Sequence, residues 1–114
     1  MDLSSLEIRV LSLIVENIPE FHELRRQVQV VRVSKRDYTG CGVYTDFELP
    51  KGTVQFEPHR WRIEDMPKIE GIHPDLPSGA GFILWFKNGF ITCLEGYTYE
   101  GDWPTNEELF SLSA

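Results

Sequence analysis

The side chains in this 114-residue chain best suited to nucleophilic or metal chemistry are His22, His59 and His73, with Cys41 and Cys93. Their spacing does not assemble them. There is no His-x-x-x-His or Cys-x-x-Cys pair, so no metal is expected, and no cofactor. Cys41 sits between glycines in Thr39-Gly40-Cys41-Gly42, but no strand-to-helix elbow follows it and no helix N-terminus is at hand to activate it. Ser78-Gly79-Ala80-Gly81 is glycine-rich yet precedes an apolar strand, so it lacks the helix N-terminus that binds phosphate. With no catalytic constellation, the expected role is non-enzymatic.

The chemistry that does concentrate is that of an acidic aromatic surface. After Lys87 there is no Lys or Arg, while Glu95, Glu100, Asp102, Glu107 and Glu108 all occur there. Tyr97, Tyr99 and Trp103 interleave with them. Tyr and Trp offer contact area with a polar tip, which interfaces favour. Tyr97, Tyr99, Glu100, Asp102 and Trp103 are therefore the expected partner-binding set, suited to a basic protein such as a nuclease toxin. The other reading is that these aromatics close the core at the sheet end. Glu95 also has two readings. It is a site carboxylate at the polar end of a small-ligand pocket, with His59 or His73, or a glutamate bonded to a backbone amide or an arginine.

Charge and composition narrow the partner classes. With 18 acids against 11 bases the net charge is −7, which argues against nonspecific nucleic-acid binding. Arg25, Arg26, Arg32, Lys35 and Arg36 cluster around the first expected strand, where bases protect a sheet edge. A hydrophobic content of 41% with 12% aromatics excludes a disordered chain. The length fits one α+β domain over residues 1–114. Met1-Asp2-Leu3-Ser4-Ser5 lacks the basic start of a secretory signal, and Glu7, Arg9 and Ser12 interrupt the apolar run that follows. That run falls short of the ~20 residues that span a bilayer. A cytoplasmic protein is expected, making no membrane contact and carrying free, buried thiols rather than a disulfide.

The elements that must position these residues follow from periodicity. Ser4 and Glu7 have capping-box spacing, and Leu3, Leu6, Val10, Leu13 and Ile14 recur at helical steps, predicting a helix that ends near Asn17. Glu20 to Leu24 stays open between a helical turn and a loop. The dense Val28, Val30, Val31 and Val33 predict a strand from about Gln27 to Lys35. Val43, Thr45, Phe47 and Leu49 alternate with polar residues and predict a second. Leu49-Pro50-Lys51-Gly52 suits a tight turn, and Thr53 to Glu57 a short third strand that resumes through Trp61 to Ile63. Met66 to Ala80, rich in proline and glycine, reads as irregular. The expected architecture is an N-terminal helix packed on a four- to five-stranded antiparallel sheet.

The clearest local signal is the hairpin over residues 81–95, where Asn88-Gly89 supplies a type I′ turn. A two-residue loop predicts Phe86 opposite Ile91, Leu84 opposite Cys93 and Phe82 opposite Glu95. On the other face it pairs Trp85 with Thr92 and Ile83 with Leu94. Both faces are then apolar. One packs on the helix. The second needs a cover, which the loop over residues 66–80, the aromatic tail or another chain would supply, including a homodimer through this hairpin.

The run Phe82-Ile83-Leu84-Trp85-Phe86-Lys87-Asn88-Gly89-Phe90-Ile91-Thr92-Cys93-Leu94-Glu95-Gly96-Tyr97, followed by Trp103-Pro104, resembles a hairpin pattern of small bacterial proteins. Some of those look like immunity proteins, and the resemblance implies toxin binding as the function. It covers about the last third of the chain, and a hairpin specifies structure more than function. The helix-then-sheet order resembles the cystatin-like fold. Protease-inhibiting cystatins carry Gln-x-Val-x-Gly at a turn, whereas Gln27-Val28-Gln29-Val30-Val31 lacks the glycine, so inhibition is not implied. Pocket-bearing relatives of that architecture imply a small-ligand site between helix and sheet.

Overall fold

A computed structural model describes residues 1–18, 22–56 and 62–114. Helix α1, Ser5–Glu16, starts at the expected capping box: Ser4 Oγ accepts from Glu7 N, and Glu7 Oε1 accepts from Ser4 N. Its buried stripe is Leu6, Val10, Leu11 and Ile14. Helix α2, His22–Val30, replaces the first half of the strand expected from Gln27. Valine costs only a few tenths of a kcal/mol in a helix, and burial outweighs that here. Leu24 and Gln27 lie one helical turn apart and are both buried. Gln27 Nε2 donates to Val54 O and Gly89 O at 3.0 and 2.8 Å, and its Oε1 accepts from Ile91 N at 3.0 Å. A strand would carry that amide away from the hairpin turn it ties down.

Six strands follow: β1 Arg32–Tyr38, β2 Gly42–Glu48, β3 Ile69–His73, β4 Leu76–Lys87, β5 Phe90–Thr98 and β6 Ser111–Ser113. They form one antiparallel sheet in the order β1-β2-β5-β4-β3-β6. The α+β expectation holds, with two helices and six strands among the described residues in place of one helix and four or five strands. The turn after β2 lies one residue later than expected, since Thr53 N donates to Pro50 O. Thr53 to Phe56 form no strand, although Phe56 N donates to Gly89 O at 2.9 Å. Ile63–Asp65 is a single 3-10 turn. Residues 57–61, which include His59 and the start of the expected continuation at Trp61, lie outside the described residues.

The stretch read as irregular, residues 66–80, is mostly sheet. Ile69, Gly71 and His73 are buried and alternate with exposed Glu70 and Ile72. His73 pairs with Leu76, leaving Pro74-Asp75 as a two-residue link. Further on, Gly71 pairs with Ala80, so Pro77, Ser78 and Gly79 face the single residue Ile72. The proline thus falls where the ladder is already broken.

In the β4–β5 hairpin Asn88 and Gly89 take φ values of 54° and 80°, as a type I′ turn requires. Phe86 pairs with Ile91 as expected, but Trp85 then pairs with Cys93, leaving Thr92 as an unpaired bulge. Every pairing beyond it slips by one: Leu84 meets Leu94, Ile83 meets Glu95 and Phe82 meets Gly96. A slip of one changes which side chains share a face. Leu84, Leu94, Phe82 and Ile91 point into the core with Ile69 and Phe110, under the apolar stripes of both helices.

Candidate functional site

Strand alternation places Tyr44 and Asp46 of β2, Cys93, Glu95 and Tyr97 of β5, Gly81, Ile83 and Trp85 of β4, and Glu70 and Ile72 of β3 on the face away from the helices. The register aligns Tyr44 with Glu95 and Ile83, Asp46 with Cys93 and Trp85, and Gly42 with Tyr97, Gly81 and Glu70. This face keeps large apolar groups in water: Ile72 is 72% exposed, Tyr99 46%, Tyr44 42% and Trp85 38%. The expected cover, residues 66–80, is instead largely part of the sheet. Among the described residues, Ile63, Glu64, Met66, Pro67 and Lys68 line, with Ile83 and Trp85, a cavity of about 260 Å³ that is partly open to solvent.

Carboxylates fix the aromatic tips. Glu95 Oε1 accepts from Trp85 Nε1 at 3.0 Å. The same carboxylate, by its charge and then by hydrogen bonding, pushes the neighbouring Tyr44 hydroxyl above its ordinary value. Toward the far end of β5, Tyr97 and Tyr99 pack edge to face at 5.4 Å. Tyr97 lies across Gly81, where a Cβ would come within 2.6 Å of its hydroxyl oxygen. A glycine thus makes the bed for an aromatic on the next strand. Lys68 Nζ stands 5.3 and 5.9 Å from the two ring centres. Tyr99 Oη donates to Glu70 at 2.7 Å. Burial, then Glu70 and Tyr97, push the Tyr99 hydroxyl well up. Contacts within the chain thus hold the Trp85, Tyr97 and Tyr99 rings in place.

This arrangement redistributes the sequence-predicted residues. Tyr97 and Tyr99 belong to the outer face. Glu100 and Asp102 are exposed in the turn after β5, where Glu100 accepts from Ser78 Oγ at 3.0 Å. Trp103 turns to the other side and packs on Phe82 and Phe110 at 5.9 and 5.4 Å, its Nε1 donating to Glu107 at 2.8 Å. It closes the core. Glu95 was expected beside Phe82; the bulge at Thr92 carries it to the opposite face, where its partner is Trp85. His73 is buried on the helix side. Its Nδ1 accepts from Asp75 N at 3.0 Å, which leaves Nε2 as the donor to Asn106 O at 2.7 Å, and its ring meets Phe110 at 4.9 Å. Glu95 and His73 are therefore not brought together, and His59 lies outside the described residues. Tyr44 and Trp85 join the surface without having been singled out for it. The alternation of β2 and the second apolar face of the hairpin were their signals.

Other chemistry is sparse. Between α1 and the sheet a cavity of about 10 Å³ remains, bordered by Glu7 and Thr45, which is room for about one water. Both cysteines are free, but Cys41 is exposed and Cys93 half-buried, so the expectation of buried thiols fails for Cys41. Burial, followed by the charge of Asp46, pushes the Cys93 thiol up to about 12, which removes it as a nucleophile at neutral pH. Among the described residues no three His, Cys, Asp or Glu side chains are grouped to hold a metal. Among the same residues no helix is long and apolar enough to cross a membrane. Compared with protein families, with curated proteins and with solved structures, the chain matches none.

Proposed function

We propose that this protein is a non-enzymatic binding module that docks a basic protein partner on the outer face of its sheet. The supporting observation is the row of exposed aromatics, Tyr44, Trp85 and Tyr99, held in place by the carboxylates of Glu95 and Glu70. Fixed aromatics cost little entropy on binding, and the negative charge of the carboxylates around them favours a cationic partner. Toxin neutralisation in the cytoplasm, as in an immunity protein, is the biological form this reading takes. The cystatin-like comparison bears on architecture only, and inhibition of proteases is no part of the reading.

The test is affinity capture from the native host with three baits: the wild type, Trp85→Ala/Tyr99→Ala, and Glu100→Gln/Asp102→Asn. The reading expects one basic protein in a stoichiometric complex that the aromatic variant loses while keeping its fold by circular dichroism. The turn variant should lose less. Equal capture by the aromatic variant contradicts the surface. So does a concentration-dependent wild-type dimer in sedimentation that the same substitutions abolish; the occupant would then be a second copy through the 81–95 hairpin.

A further inference from the structure

Resting on the docking face just described, we infer that the cavity beside Trp85 receives a single arginine side chain of the basic partner. Its volume, about 260 Å³, falls below the roughly 300–1,000 Å³ of small-molecule sites and suits one side chain. Ile63, Met66, Pro67 and Ile83 give it apolar walls, which match the methylene stem of a long cationic residue. The lining also carries an aromatic and a charge. Trp85 offers an indole, the best cation–π partner among side chains, and Glu64 supplies an exposed carboxylate.

Two further charges border the site. Glu95 holds the Trp85 indole N–H and adds negative charge at the ring's edge. Lys68 also lines the cavity, but its ammonium lies over the Tyr97 and Tyr99 rings. A planar guanidinium stacks on an indole and pairs with a carboxylate at once, which an ammonium does less well. Arginine is therefore preferred over lysine.

The probes are N-acetyl-arginine amide, N-acetyl-lysine amide and N-acetyl-norleucine amide, titrated into the full chain. The readout is the NMR signals of the Trp85 indole N–H and the Ile83 methyls. Arginine amide should give saturable shifts confined to these signals and those of Met66, and bind more tightly than the other two. Glu64→Gln, an exposed substitution, should weaken it about two- to fivefold, as the loss of one exposed charge contact does. Norleucine amide binding as well as arginine amide would overturn the inference in favour of an apolar anchor. Shifts that never saturate, or that scatter over the surface, would overturn it outright. Capture of a partner that needs Trp85 and Tyr99, together with a negative arginine titration, sinks only the pocket. Saturable arginine binding with no captured partner sinks only the docking reading.

Discussion

At the scale of single residues, the molecule separates groups that look alike in sequence. Cys41 is exposed, whereas Cys93 is half-buried and its thiol is pushed up to about 12. Iodoacetamide at mildly alkaline pH should alkylate Cys41 in the native protein while leaving Cys93 unmodified until denaturant is added. Peptide mass spectrometry would detect the contrary result, equal labelling. Glu7 is the other case. It caps α1 and also reaches the sheet, accepting from Arg36 Nε and Nη2 at 2.8 Å each and from Thr45 Oγ1 at 2.9 Å. Burial works against its carboxylate, but the Arg36, Ser4 and Thr45 hydrogen bonds and the Arg36 charge outweigh it and hold its carboxyl below the ordinary 4.5. A lowered folded value means stability that is fully present above the ordinary glutamate pKa and lost as pH falls through the folded one. Glu7→Ala should cost about 2–3 kcal/mol at neutral pH, because Arg36 and Thr45 lose a shared acceptor. Denaturant titration should also show a shallower acid loss than in the wild type. The capping-box half of this role was legible from Ser4-Ser5-Leu6-Glu7; the tie to β1 and β2 was not, since it depends on packing across the chain.

Among the elements, the errors of sequence reading have two local causes. Valine density favoured a strand where Gln27, buried with 0% exposure, holds a helix against the hairpin turn. Alternation cannot know that one amide will serve three distant backbone groups. Gln27→Leu should therefore cost about 3 kcal/mol, since Ile91 N is left buried without its acceptor while Gly89 O and Val54 O each lose a donor. A loss under about 1 kcal/mol in chemical denaturation would remove the amide from this role. The second cause is the bulge at Thr92. The Asn88-Gly89 turn fixed the start of the register, and one unpaired residue then moved Glu95 from the helix face to the outer face. A trace of it exists in the sequence, because Ile91 and Leu94 both point inward at a spacing of three. The proline-rich stretch hid β3 for a related reason: its irregular residues are gathered opposite Ile72, while Ile69 to His73 alternate cleanly.

For the whole molecule, the sheet divides a helix-covered core from an aromatic face that the described chain leaves largely in water. The acid excess noted in the sequence lies partly on that face, through Glu70 and Glu95, and partly in the turn at Glu100 and Asp102. Trp103, one of the expected partner-binding residues, is partly buried and packs against the core, so Trp103→Ala should lower the melting temperature through lost aromatic packing. Complementary charge speeds encounter and is screened by salt, so association with a basic partner should weaken as ionic strength rises. The most direct measurement is an equilibrium titration of the purified partner into wild type and into Trp85→Ala/Tyr99→Ala, each at low and at high salt. The account predicts tight, salt-weakened binding by the wild type and at least a tenfold loss in the variant, about 1.4 kcal/mol. Equal affinity of the two proteins would contradict it.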